Sequence, residues 1–570
     1  MSVVFIVLIV FQIKKTATFV VVFISGGVTE IRTRDTLLTY TRFPGVPLQP
    51  LEHHSIRQMR GKGNTIWRDF ASFSCFFNIF VPMNTDNRLQ SYNNTGNADR
   101  QDPRVKQLAM DVLRWLPYDP NDDQMLVIVA LAHFLLYAPE RSVFILGGYA
   151  GTGKTSLTGA IVKALHQQGK KSVLMAPTGR AAHIFSDYSG HPAYTIHRKI
   201  YRQQGYGIDA FGLAENKHTD TVFIIDEASM ISNANDGSIF GSGRLLEDLI
   251  GYVYNGLGCK MVLMGDNAQL PPVGQLVSPA LEDEILRSLG LTTYGVFLRQ
   301  IARQAEESGI LHNATLLRQA MEDGTLGRPH FDLDGMEDIQ TVSSEFLLET
   351  ISDCYDRDGM NETIIVTRSN KRATLFNMGV RNSILYREDL LVNDDMLLVA
   401  KNNYYWARDY KELDFIANGD VCRVRRVWGD IEHRYGLRFA NVTVEFPDHD
   451  GIEMDCKIVV DCLLSDTPAL NREQSDRLFN EVWTELTGDK RERYKQLKEH
   501  PYFNALQVKY AYAVTCHKAQ GGQWRNVFID MGGIMPDAMQ SMDFYRWLYT
   551  AMTRARERVY LINWINDADS

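Results

Sequence analysis

Residues Gly148-Tyr149-Ala150-Gly151-Thr152-Gly153-Lys154-Thr155 fit the pattern G-x-x-x-x-G-K-[ST]. The chemistry of that pattern is phosphate binding. Glycines let the backbone bend closely around phosphates, and the amides opening the next helix meet the negative charge. Lys154 would reach the β- and γ-phosphates, and Thr155 would offer its hydroxyl to Mg²⁺. Nucleotide contacts are therefore expected from Gly148, Ala150, Gly151, Thr152, Gly153, Lys154, Thr155 and Ser156. Seventy-one residues further on, the apolar run Val222–Ile225 ends in Asp226-Glu227. A buried strand that delivers two carboxylates beside a phosphate loop suits metal-assisted phosphoryl transfer. Asp226 would hold Mg²⁺, and Glu227 would polarise the attacking water as a general base.

Further segments extend the pattern. Asp226-Glu227-Ala228-Ser229, followed by Gly265-Asp266-Asn267-Ala268-Gln269-Leu270-Pro271-Pro272-Val273, resembles the superfamily 1 DNA helicases of the RecD-like and Dda-like branch. In that family the glutamine corresponding to Gln269 senses the γ-phosphate. Ala176–Ala182 is similar to a motif whose strand-end residues grip the DNA backbone, which implies DNA contacts at Thr178 and Arg180; Thr195-Ile196-His197 resembles the next DNA-contact motif. Arg303-Gln304 is similar to the motif whose arginine approaches the nucleotide from the second motor domain. It is preferred over Arg299-Gln300 because Ser308-Gly309-Ile310 follows it as in the family. Val366–Asn370, with Asn377 and Arg381, resembles the opening of the rest of that domain. Val514–Gly521 looks like the motif whose Thr515, His517 and Lys518 would face DNA, while Gln520 and Gly521 face the nucleotide; Gly522 and Gln523 beyond it match no assigned role. Tyr549–Ala555 resembles the motif carrying the arginine finger, here Arg554. Upstream, Gln124 at the start of a helix resembles the family's adenine-binding glutamine. A plain polar helix N-terminus is the alternative.

The resemblance covers roughly residues 105–565. It implies an ATP-dependent DNA helicase, using ATP and Mg²⁺, that moves 5′→3′ on single-stranded DNA and acts at single-strand/duplex junctions. A motor subunit of a recombination nuclease complex and a regulatory ATPase without unwinding remain open. Spacing adds to the polarity reading. Thr178 and Asp226 are 48 positions apart, too few for the large helical insert of the opposite-polarity branch. Arg198–Asp220 instead suits a hairpin, with Tyr201, Tyr206 and Phe211 around Gly205, Gly207 and Gly212. An aromatic there could stack on a junction base pair; a surface loop is the alternative.

The elements that must hold these residues follow from hydrophobic patterning. Short apolar runs at Val143–Leu146, Ser172–Ala176, Thr221–Ile225 and Lys260–Met264 alternate with helical periodicity, the signature of a buried parallel sheet. Thr363–Thr367, Val508–Val514, Val527–Asp530 and Val559–Asn563 form a second such set, and Val421–Arg426, Leu437–Phe446 and Ile452–Val460 a β-rich insert. The expected fold is α/β: two P-loop-type (RecA-like) parallel-sheet motor domains, with a β-hairpin insert near 198–220 in the first and a small SH3-like insert in the second. Boundaries are expected at 83–290 for the first motor domain, 291–385 with 506–570 for the second, and 386–505 for the insert.

Composition sets limits. The 570 residues are 45% hydrophobic and 23% charged with net charge −9. This excludes a disordered chain, a collagen-like chain and a small disulfide scaffold. Seven cysteines contain no C-x-x-C pair, so structural zinc is unsupported and a reducing cytoplasm is the expected setting. Residues 1–82 differ from the rest. They hold nine basic and four acidic residues, and their apolar runs Val3–Phe11 and Phe19–Ser25 are too short to span a bilayer. Ile31-Arg32-Thr33 can be encoded by the antisense of a transfer-RNA T-loop, and Glu30–Ser55 resembles wrong-strand translation of such a gene. Segment 1–82 is thus expected to be a non-native extension, with Met83 or Met59 the real start; a membrane-associating arm is the alternative. Residues 84–103 read as a polar lead-in, and the motor as a monomer.

Overall fold

The computed structural model describes residues 7–13, 17–23, 102–203, 211–235, 241–300, 308–410, 413 and 415–564. The chain divides into two units, Met1–Val81 and Pro82–Ser570. In the first, Val7–Ile13 and Ala17–Phe23 pair as an antiparallel hairpin, Val7 opposite Phe23. The remaining expectations for 1–82, and nearly all of the polar lead-in, fall outside the described residues.

The second unit contains two parallel sheets and a barrel. The first sheet orders its strands Thr292–Leu298, Ser142–Gly148, Lys260–Gly265, Thr221–Ile225, Lys171–Ala176 and Ala193–Thr195. Every neighbouring pair is parallel. Helices cover a parallel sheet on both faces, so its central strands are uniformly apolar rather than alternating. Ser142–Gly148 and Thr221–Ile225 are buried at every residue. The helix Lys154–Gln167 buries Leu157, Ile161, Ala164 and Leu165, one stripe at helical spacing. Thr292–Leu298 closes the sheet's edge, so the expected boundary at 290/291 must move beyond residue 298. Edge position explains why this strand was not read: only Thr293, Val296 and Leu298 are buried, and no uniform apolar run marks it.

The second sheet orders Ile339–Val342, Ala555–Ile562, Trp524–Asp530, Thr363–Thr367 and Ala513–Thr515, again all parallel. Between its strands the chain builds a closed barrel from Met396–Val399, Val421–Arg434, Leu437–Phe446, Ile452–Val459 and Leu506–Tyr510. Val442, Val444, Cys456 and Ile458 alternate into the barrel core. The expected single strand Val508–Val514 is in fact two. Leu506–Tyr510 belongs to the barrel and Ala513–Thr515 to the sheet, so the insert extends to residue 510, not 505. The charged stretch before it forms helices Arg472–Glu485 and Lys490–Lys498, each opened by a capping box.

The expected hairpin is present, with Tyr201–Gln203 antiparallel to Phe211–Leu213. Tyr201 is a core residue, however, 4% exposed, and its hydroxyl donates to Asp248 at 2.7 Å. Tyr206 lies outside the described residues. Phe211 packs against the Tyr404 ring at 4.6 Å. Among the described residues, no helix is long and apolar enough to cross a membrane.

Candidate nucleotide cleft and nucleic-acid channel

The strand Ser142–Gly148 runs into the loop and the helix Lys154–Gln167 leaves it. Gly153 caps that helix with φ 80°, and a Cβ there would lie 2.6 Å from Gln124 Nε2 and 2.8 Å from the Tyr118 hydroxyl. Only glycine fits a positive φ under such a close approach. The Lys154 ammonium donates to the carbonyls of Gly148 and Tyr149, the latter at 2.8 Å. Gln124 is buried. Its Oε1 accepts from Asn121 N, completing a capping box, and its Nε2 donates to Thr152 O at 2.9 Å. It therefore braces the loop from the start of its helix.

Asp226 and Glu227 stand at the end of their strand. Asp226 Oδ2 accepts from Tyr188 at 2.5 Å and Oδ1 from the Glu227 amide at 2.8 Å. Burial, reinforced by the adjacent Glu227 charge, pushes the Asp226 carboxyl up to about 6. Glu227 has φ 50°, a conformation rare outside glycine and typical of functional turns. Its carboxylate faces Arg554 of the other sheet, Nη1 to Oε1 3.6 Å. Arg554 is 3% exposed and is steered by Nε to Thr550 O at 3.1 Å. Gln269 is buried, with an Oε1 that has no hydrogen-bond partner. The cleft thus gathers Lys154, Asp226, Glu227, Gln269 and Arg554. Arg303 lies outside the described residues. Arg299, its near-duplicate, and Gln300 donate through their backbone amides to Asp123.

Gln520 and Gly521 meet the first domain directly. Gln520 Nε2 donates to Leu270 O at 2.8 Å, and a Cβ on Gly521 would lie 2.9 Å from Thr178 Oγ1. Gly522 and Gln523 acquire roles as well. Their carbonyls accept from Arg554 at 3.5 Å and Arg180 at 3.1 Å.

Next to the cleft lies a cavity of about 360 Å³, lined by Thr178 and Arg180 of the first motor domain, His517 and Lys518 of the second, and Asn418 of the barrel. Thr178 also caps its helix, accepting from Ala181 N. Arg180 stacks on Trp524 at 4.1 Å, which ties it into the wall. Burial pushes the Lys518 ammonium down to about 8; its partner is the neutral Asn418 amide, so a nearby anion would favour its charged form. His197 and Thr515 do not line this cavity. His197 sits on the short helix Ile196–Ile200, its ring 5.7 Å from Tyr201.

Tyr188, Asp266, Tyr549 and Thr550 were not foreseen as site residues. The last three stand inside quoted motifs, which was the available signal; Tyr188 sits near the far end of the helix Gly179–Ser189, beyond the quoted Ala176–Ala182 segment.

The AAA domain family matches residues 129–329, and the UvrD-like helicase C-terminal domain matches 510–562. The ATP-dependent RecD2 DNA helicase of Deinococcus radiodurans is 25% identical over 438 residues, covering 74% of this chain and 47% of that protein. The ATP-dependent DNA helicase dda of Enterobacteria phage T4 is 33% identical over 134 residues, 22% of this chain and 28% of its own. This chain therefore spans less than half the length of either relative. A solved Pif1 helicase from Bacteroides in complex with ADP-AlF3 and ssDNA covers 78% of this chain and 93% of its own at 16% identity, with TM-score 0.39. The two matched segments each hold one wall of the cleft, the first carrying Lys154, Asp226, Glu227 and Gln269 and the second Gln520 and Arg554, and over these parts the chain is similar to ATP-dependent DNA helicases.

Proposed function

We propose that the chain is an ATP-dependent DNA helicase that translocates 5′→3′ along single-stranded DNA. The observation that carries this reading is the 3.6 Å approach of Arg554 to Glu227 across the cleft. A water-activating carboxylate from one motor domain faces an arginine finger from the other, so closure of the domains completes the hydrolytic site. Lys154 binds the phosphates of ATP, Glu227 takes the proton of the attacking water, and Gln269 and Arg554 hold the γ-phosphate. Loss of that phosphate releases the second domain. Its movement is passed to Thr178, Arg180, His517 and Lys518, which grip the DNA backbone. His197 and Thr515 keep their family roles as DNA contacts in this reading, and Arg303 its approach to the nucleotide.

Mg²⁺ fits the site. Asp226 is a desolvated carboxyl beside a second acid, and a divalent cation would relieve both penalties. Thr155 and Asp226 would hold it. Among the described residues no group of three or more His, Cys, Asp or Glu could hold a metal ion unaided, so phosphate oxygens would complete its shell. When bound it neutralises charge on the phosphates. Both walls of the cleft come from one chain, which supports a monomeric motor.

The test is ATP hydrolysis with and without single-stranded DNA. The purified chain should be strongly stimulated by DNA, and Glu227→Gln should bind ATP and DNA while losing turnover. Equal hydrolysis with and without DNA in a folded, monomeric sample would favour the regulatory ATPase.

A further inference from the structure

Gln269 belongs to the first motor domain, yet its loop is held from the second. Asp266 Oδ2 accepts from the Tyr549 hydroxyl at 2.6 Å. Leu270 N donates to Thr550 Oγ1 at 2.8 Å, and Leu270 O accepts from Gln520 at 2.8 Å. Tyr549 and Thr550 are neighbours on the helix Met542–Met552, so two adjacent side chains bracket residues 266–270. The same Tyr549 oxygen accepts from the amide of Ala150 in the phosphate loop at 2.9 Å. Tyr549 is 1% exposed, and burial beside Asp266 holds its phenol well above its ordinary range. It therefore keeps its single proton and donates it to Asp266, leaving its lone pairs for Ala150. Thr550 O in turn accepts from Arg554 Nε. One helix end thus sets the phosphate loop, the Gln269 loop and the arginine finger together.

We propose that Tyr549 and Thr550 are positioning residues that couple the phosphate loop to Gln269, so that the state of one is transmitted to the other through the second domain. The proposal rests on the nucleotide reading of the cleft but can fail separately from it. Only a two-state element biased from both ends counts as coupling. The bracket has that form, because the Ala150 amide is one of those that would turn to phosphate. Phosphate at Ala150 and the Tyr549 oxygen would compete for one N–H.

The test combines hydrogen exchange with kinetics. In nucleotide-free Tyr549→Phe, amide exchange should quicken by several-fold in segments 149–151 and 266–270. Tyr545→Phe removes another hydroxyl from the same helix, one bound to Gly327 O, and should leave those segments unchanged. DNA-stimulated kcat of Tyr549→Phe should fall about tenfold, the scale of one hydrogen bond to a charged group, with KM for ATP little changed. Tyr549→Phe added to Gln269→Ala should cost nothing further, since residues acting through one another are not additive. Thr550→Val should mimic Tyr549→Phe, and Thr550→Ser should behave as wild type, which keeps the test open if the tyrosine variant misfolds. Unchanged exchange, an equal effect of Tyr545→Phe, or a multiplicative loss in the double variant would overturn the bracket. A wild-type protein without DNA-stimulated hydrolysis would count against the helicase reading, and the exchange data would still decide the bracket.

Discussion

Asp226 is charged at neutral pH in a place that disfavours charge, and this has a measurable consequence. Its carboxyl is raised from the ordinary value to about 6 by burial first and by Glu227 second. The folded protein therefore holds a proton more tightly than the unfolded chain. Stability contributed at this site is fully present below the unfolded value and is lost as pH rises through about 6. Asp226→Asn removes the charge at every pH, so without metal or nucleotide it should be more stable than wild type at pH 8, by about 1–3 kcal/mol. The gain should shrink towards pH 4. Thermal melts at pH 4, 6 and 8 decide it; a loss of stability at pH 8 would show that the Tyr188 and Glu227 contacts outweigh desolvation. The same variant should lose Mg²⁺-dependent hydrolysis. Lys154→Ala should abolish nucleotide-dependent activity, because the phosphates lose their point charge, and equilibrium binding of a fluorescent ATP analogue checks it. Asp226 and Lys154 were legible in the sequence because their chemistry requires a fixed spacing in a fixed strand-loop-helix context. Gln124 was only half legible, since nothing in the sequence shows that a glutamine opening a helix also ties itself to the Thr152 carbonyl of the phosphate loop. Tyr188 was illegible: a tyrosine on an amphipathic helix announces nothing about the carboxylate that tertiary packing brings to it.

At the scale of elements, the joint between barrel and second motor domain depends on a buried ion pair. Arg381 is 0% exposed and reaches Asp395, also 0% exposed, with Nε and Nη2 at 3.0 Å each. Asp395 precedes the barrel strand Met396–Val399, while Arg381 follows the helix Asn370–Gly379. Such a pair need not stabilise relative to an apolar one, but breaking it strands a charge. Arg381→Met should therefore cost about 3 kcal/mol in urea unfolding at pH 7. Arg472→Ala, which breaks the exposed pair with Asp476, should cost under about 0.5 kcal/mol. A small loss for Arg381→Met would mean that Arg387, 2.7 Å from the same carboxylate, compensates. Arg381 and Asn377 were singled out from a family resemblance, and here both do structural work: Asn377 exchanges two hydrogen bonds with the backbone of Ala513. Central strands were legible from continuous apolar runs. The turn at Ala511-Tyr512 was not, because those two residues carry no turn signal and run straight into the apolar Ala513–Thr515, so only the sheet each strand joins separates them.

At the scale of the whole molecule the question is direction of travel. The proposed reading has the motor move 5′→3′, and only 48 positions separate Thr178 from Asp226. Between Thr178 and Asp226 the described residues hold two helices, the sheet strands Ala193–Thr195 and Thr221–Ile225, and the two-stranded hairpin. That hairpin is fastened at one side, where Phe211 meets Tyr404 and Tyr404 meets Phe415 at 5.0 Å. A duplex arriving at such a braced element would be split as single strand is drawn into the channel beside Lys518. A partial duplex with a 5′ tail should therefore be unwound with ATP and Mg²⁺, and one with a 3′ tail should not. Binding to the tail should weaken with salt, log affinity falling by about 0.7 per phosphate neutralised for each tenfold rise in salt. Unwinding from the 3′ tail alone would overturn the polarity. Deleting residues 203–214 separates the motor from the wedge. If translocation on single strands survives while unwinding falls, the hairpin is the wedge. If unwinding from the 5′ tail survives as well, the polarity stands and the strands are parted elsewhere.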